Sequence, residues 1–278
     1  MANKVWVGTD SGNEGDYGTA ANWSPSGVPG AGDDVYIPAS STQAITGTLD
    51  QSAVAIGKFR VQKGYTKAIG SAALGYLQID PNDFFFDASG ESWIDVGAAA
   101  IPLSVISAPR AQPGSRGLYV KGSAITTLSV LSGSVGLAFG TGETSTATSV
   151  YAMGSTADVI VGAGATVTNG RAYSGTLKTL AALTLAELFA GELLTDGDAA
   201  GLTACNVFGG KATLSAAGTI AALVLRGGQV DMLQSSVART ISSLTQHAGS
   251  EFLYDPDVVT ITAQAAPDTP VRITTSRI

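Results

Sequence analysis

The chain has 278 residues, with 22 acidic and 15 basic side chains and a formal net charge of −7. Only 13% of the residues are charged while 35 are glycine, against roughly 25% charged and about 7% glycine in an average soluble domain, so many turns and little helix are expected. The acidic balance argues against a nucleic-acid partner, the single cysteine excludes an internal disulfide framework, and no stretch approaches the ~20 consecutive apolar residues of a membrane-spanning helix.

Residues 1–55 read as an N-terminal cap or attachment segment. Six acids accompany Lys4 alone over the first 50 residues, and glycine and proline are spaced through Gly8, Gly12, Gly15, Pro25, Pro29 and Gly30. The opening Met1–Trp6 lacks the apolar core of a secretory signal. Residues 56–124 read as irregular first coils. Ile56, Phe59, Val61 and Gly64 carry a faint copy of the repeat found downstream, Tyr76–Ile79 and Trp93–Val96 read as strands, and Pro109–Gly117 reads as an inserted loop. Within this region Phe84, Phe85 and Phe86 cannot all face one interior, because alternate side chains of a strand point to opposite sides. At least one is expected to face outward, with Trp93 as a companion in an intermolecular contact. Arg110, Arg116 and Lys121 form a basic group beside the loop that could steer docking.

Residues 125–262 carry the main signal. Starting at Ile125, Ala147, Val167, Leu183, Leu202, Ile220 and Ile241, one template recurs: apolar residues at offsets 0, 3 and 5, glycine at 8, and mostly apolar residues at 10 and 12. The starts lie 22, 20, 16, 19, 18 and 21 residues apart, about 19 on average, and six of the seven turn positions are glycine, the other being Ser155. Alternation within each copy is the period of strands, whereas a fixed glycine costs about 1 kcal/mol in a helix interior. A single coil of this kind cannot bury its apolar side, but stacked coils enclose a continuous column. The expected fold is all-β: a right-handed parallel β-helix with coils of about 19 residues, a narrow column of small to medium side chains, an N-terminal cap and, over residues 263–278, an extended C-terminal tail. Gln246 and Glu251 occupy nominally inward offsets, where the column is expected to close or flare.

The N-terminal segments Trp6-Val7-Gly8, Asn22-Trp23-Ser24, Val28-Pro29-Gly30 and Asp33-Asp34-Val35-Tyr36-Ile37 resemble the opening of β-helical virion proteins of tailed bacteriophages. The resemblance covers about the first 40 residues. It implies a structural component of the virion, assembled in the host cytoplasm, with the major capsid protein or other virion proteins as partners and a homo-oligomer (trimer or dimer) as its working form. Decoration and cementing of the head shell is the expected role, and a tail spike or fibre module that binds, or cleaves, host surface polysaccharide is the alternative.

Chemistry is hard to find in the coils. Glycoside hydrolysis needs two carboxylates across one groove, yet no offset collects two acids on neighbouring coils. At offset 11, Asp158 and Lys178 are expected to stack as a surface ion pair. Asp196, Asp198, Asp255 and Asp257 lack the length and ligand count of a calcium loop, and Asp33-Asp34 is expected to cap the first strand. His247 points outward without a histidine partner, Cys205 points inward, and the glycines of Val161–Ala165 are followed by no Lys-Ser/Thr. Phe139, Tyr151, Tyr173, Phe189, Phe208, Phe252 and Tyr254 are read as sharing no offset, so no stacked aromatic groove is expected. No catalytic, cofactor-binding or metal-ligating residues are assigned, and the chain is expected not to be an enzyme.

Overall fold

A computed structural model describes residues 1–110, 115–196, 201–265 and 272–275. The chain is a parallel β-solenoid of about 11 turns, and the single 3-10 turn Ala20–Asn22 is the only helical element among the described residues. Successive coils are joined by parallel ladders. On one face, strands Asp34–Ile37, Lys58–Tyr65, Phe84–Ala88 and Pro102–Ser107 lead without a break into Ile125–Leu137 and on through Ser145–Val161, Ala165–Ala172, Leu183–Leu188, Leu202–Val207, Ala222–Leu225 and Arg239–Gln246. A second face stacks Ser92–Asp95, Leu118–Lys121, the ends of Ile125–Leu137 and Ser145–Val161, and then Thr176–Thr179, Glu192–Thr195, Lys211–Leu214, Gln229–Asp231 and Glu251–Tyr254.

Alternation within each strand sends one set of side chains into the column. In register these are Val35, Phe59, Phe84, Leu103, Leu128, Val150, Gly170, Ala186, Cys205, Leu223 and Leu244. The column is wide at its N-terminal end, where Phe59 and Phe84 stack with centroids 5.9 Å apart, and narrows to a waist at Gly170, Ala186 and Cys205. A Cβ on Gly170 would lie 2.9 Å from Leu183 Cδ1 and 3.0 Å from Leu177 Cδ2, so leucines of the next coil and the facing sheet fill its place. Cys205 is fully buried there and burial pushes its thiol up to about 12, which fits the expected packing role.

The column begins earlier than the repeat does. Asn3–Trp6 pairs in parallel with Asp34–Ile37, which pairs with Lys58–Tyr65, so the first 55 residues supply rungs as well as a cap. Trp6, Tyr17 and Trp23 are buried against one another, with Trp23 edge-on to both at 5.1 and 4.7 Å. Trp23 Nε1 donates to the Tyr17 carbonyl at 2.8 Å, and the buried Asn22 amide donates to the carbonyls of Asn13 and Asp16. Asp33 accepts from the backbone N–H groups of Ala2 and Gly30, and these bonds hold its carboxyl below the ordinary 3.8. The residues of the opening motif thus build the folded start of the rod, with Asp33 capping the first strand as expected.

Four expectations are corrected. The second copy carries two extra residues: Val130 stands opposite Ala152 but Ser132 opposite Thr156, so Ala157, not Ser155, faces Gly133. That shift moves Asp158 beside Ser134 and Thr176, and Lys178 beside Ile160 and Leu194. Asp158 therefore pairs with Arg116 at 2.5 Å, and Lys178 with Asp196 at 2.7 Å, not with each other. In the last copy Glu251 faces outward, opposite Gln229, and Phe252 fills the column instead. Gln246 does point inward and donates to the Ser250 carbonyl. Finally, residues 263–278 are not simply a tail: strand Val259–Gln264 runs through Ala263, and Arg272–Thr275 pairs with Glu251–Tyr254 as a further rung. Pro267 and Pro270 lie outside the described residues, as do residues 111–114 of the inserted loop and Asp198.

Candidate functional site

The two strand faces divide the candidate residues. Phe84 and Phe86 lie in the column and are unavailable for contact with another molecule. Phe85 alone faces outward, half-buried, with the Arg60 guanidinium 5.6 Å from its ring centre. Trp93 is not its companion, because it belongs to the second face, directly opposite Tyr119 in the next coil.

That second face forms a small amphipathic hollow. Trp93 and Tyr119 stack at 4.3 Å with planes 9° apart, and Phe139 follows Tyr119 at 6.2 Å, tilted by 45°. Gly136 stands opposite Tyr119, and a Cβ there would meet Phe139 Cβ at 2.8 Å and Arg116 Cγ at 3.1 Å, so its bare backbone is what lets both side chains fold across the strand. Ala138 holds φ at +46°, in the left-handed region, and turns the chain toward Phe139; for a residue with a Cβ that conformation costs about 1–2 kcal/mol. With Tyr76 and Glu143 these rings line a hollow of about 340 Å³, at the small end of ligand-sized clefts.

Its polar rim is paired internally. Tyr76 donates its hydroxyl to Glu143 at 2.5 Å, and burial and that carboxylate both raise the phenol above its ordinary value. Lys121 sits 4.4 Å from the Tyr76 ring centre and 3.4 Å from Asp95, while Arg116 lies 5.2 Å from the Phe139 ring and binds Asp158 and Ser134. Lys121 and Arg116 therefore have carboxylate partners, and Arg110 is the exposed member of the expected basic group, on the wall of a separate hollow with Ser134 and Asp158. Gly162 and Gly164 face the Ala138 and Glu143 carbonyls so closely that a Cβ on either would overlap them; they permit close stacking of coils. Among the described residues, no cluster of three or more His, Cys, Asp or Glu could hold a metal ion, and no helix is long and apolar enough to cross a membrane.

A second surface contradicts the expectation that the coil aromatics are scattered. Tyr173, Phe189 and Phe208 each lie six residues after a repeat start, at Val167, Leu183 and Leu202, and their amides bond in turn to the carbonyls of Ala152, Ala172 and Leu188. Their rings stack outside the column, Tyr173 on Phe189 at 4.9 Å and Phe189 on Phe208 at 4.8 Å, within 4° and 3° of parallel. The separations equal the spacing of hydrogen-bonded strands, so the ladder is the solenoid repeat written in side chains. The same offset carries Leu131 and Met153 before the rings and Arg226 and His247 after them. Leu131, Met153, Phe189 and Phe208 are 48%, 40%, 37% and 39% exposed, which makes this edge a continuous apolar ridge. Comparison with protein-family models, with curated proteins and with solved structures finds no match to the chain.

Proposed function

We propose that the chain is a non-enzymatic structural protein of a tailed-phage particle that decorates the head and bridges its shell proteins. The observation that carries this reading is the build of the N-terminal end. Trp6 and Trp23, from the segments that resemble the opening of phage β-helical proteins, pack with Tyr17 to close the rod, and the column they start runs on through parallel rungs. A bridging protein needs stiffness and outward-facing contact area. Ladder hydrogen bonds supply the first, and the outward faces of about 11 stacked turns the second. The acidic chain would approach basic patches on a shell with favourable long-range steering.

The aromatic hollow favours a second reading, a tail module that binds host surface polysaccharide, because Trp93, Tyr119 and Phe139 bring aromatic rings beside the Glu143 carboxylate. Immunogold electron microscopy of purified virions separates the two. Label on the head is the expected result, whereas label on the tail, or release of reducing ends from capsule polysaccharide by the purified chain, defeats the first reading in favour of the second.

A further inference from the structure

The ridge at offset six has a neighbour. One residue further along the same coils lie Gly154, Ser174, Ala190, Gly209 and Gly227, a lane of small side chains. The backbone is close-packed there: a Cβ on Gly209 would come 2.6 Å from the Phe189 carbonyl, and one on Gly227 2.6 Å from that of Phe208. A row of large exposed rings and a row with almost no side chains thus run side by side along the rod, both at the rung spacing of about 4.8 Å.

We infer that ridge and lane form the surface through which two copies of this chain associate side by side. A two-fold axis places the same patch on both subunits and requires it to be self-complementary; here the ridge of one copy seats in the lane of the other. The partner must match a rung repeat of about 4.8 Å over several coils, and a second copy does so by construction. Charge points the same way. Each copy is net −7, yet the two rows hold no ionisable side chain other than Tyr173 from Leu131 to Gly209, and the nearest charged pair behind the ridge, Arg171 with Glu187 at 2.5 Å, is internally compensated. Two acidic rods repel least along this edge.

A sugar suits the ladder poorly. Carbohydrate C–H groups stack on open, electron-rich ring faces, but the inner faces here cover one another. Arg226 lies 5.9 Å from the Phe208 ring centre and Tyr151 packs edge-on to Tyr173, so both end rings have a neighbour as well. The surface left exposed consists of ring edges and aliphatic side chains, which pack well against protein. From Leu131 to Phe208 the ridge crosses five rungs, about 20 Å of rod. Such a strip buries less than about 1,200 Å² in total, the range of weak or transient contacts.

The contact does not depend on the particle assignment and is measured with the purified full chain alone. In sedimentation velocity from about 5 to 500 μM, a span suited to micromolar association, the wild-type chain is expected to shift from monomer toward dimer. Phe189→Lys with Phe208→Lys is expected to remain monomeric at every concentration with an unchanged far-UV circular dichroism spectrum. Because the rings also brace neighbouring rungs, a second readout fills the lane instead: Ala190→Arg, exposed in the lane and outside the ring stack, is expected to remain monomeric, while Thr126→Arg, exposed elsewhere on the rod, associates like wild type. A wild-type chain that stays monomeric throughout, a lysine variant that associates like wild type, or an Ala190→Arg variant that associates as well as Thr126→Arg overturns the inference. A monomer that still labels phage heads sinks the ridge contact and leaves the particle role standing; a dimer absent from virions does the reverse.

Discussion

Arg239 shows how much one residue can hold in a fold made of repeats. Its guanidinium is buried, 3% exposed, and donates to four backbone carbonyls: Nε to Val237, Nη2 to Met232 and Ser235, and Nη1 to Leu214. Between Asp231 and Arg239 the chain leaves the sheet, so the carbonyls of Met232, Ser235 and Val237 lack ladder partners, and the planar fork of an arginine reaches them and the Leu214 carbonyl of the preceding coil from one point. Burial lowers the pKa of the group, a cost that the hydrogen bonds offset. Arg239→Met keeps the apolar stem but strands buried acceptors, each worth about 1–3 kcal/mol when unsatisfied. The urea midpoint is expected to fall by the equivalent of about 2–4 kcal/mol, and Arg239→Lys is expected to recover less than half of it, because an ammonium cannot span the four sites. A lysine variant that melts like wild type would show that charge alone, not the fork, holds the loop.

The coil is the element in which sequence and structure meet. Gly191, Gly210 and Gly228 stack at the turn between the two faces with φ of +80°, +76° and +70°, and a Cβ on Gly210 would come 2.5 Å from the Gly191 carbonyl, as one on Gly228 would from that of Gly210. Sterics and backbone angle both exclude a side chain, which is why glycine at offset eight is visible without a structure. Gly210→Ala is expected to cost at least about 2 kcal/mol, more than Gly201→Ala, whose Cβ would meet its nearest neighbour only at 4.0 Å; equal melting temperatures for the two variants would contradict this. Where coil length is constant, offsets predict the register; where it is not, they fail. The two extra residues in Ser145–Val161 displace Asp158 from Lys178, and coils of about 25 residues between Phe59 and Phe84 hide rungs that the structure shows to be continuous. The aromatic ladder is legible in principle, at offset six, but its rings sit just past the strand ends, outside the alternating pattern that identifies the repeat. The hollow around Trp93 is not legible: it joins residues from coils of unequal length, and its shape depends on Gly136 yielding room to Phe139.

At the scale of the whole molecule, a stack in which each coil touches only its neighbours should tolerate the loss of a complete coil better than the loss of part of one. Ala204 stands opposite Ala222 and Val207 opposite Leu225, while Lys211 and Ala212 face Gln229 and Val230 on the other side. Both faces therefore advance by the same 18 residues across this coil. Deleting residues 204–221 joins Thr203 to Ala222 at an equivalent point of the path and sets Leu223 against Ala186, Leu225 against Leu188 and Val230 against Leu193. All three contacts are apolar, so the column stays filled. The shortened chain is expected to keep its far-UV β spectrum and a single melting transition within about 5 °C of the full chain, since one coil contributes little more than one interface of nearest-neighbour energy. Deleting only residues 204–212 removes the same Cys205 rung but strands half a coil, puts the buried Ile220 where the exposed Lys211 stood and the exposed Ala221 where the buried Ala212 stood, and is expected to abolish cooperative melting. If the whole-coil deletion collapses as completely as the half-coil one, the rod is a single cooperative unit and its coils are not interchangeable layers.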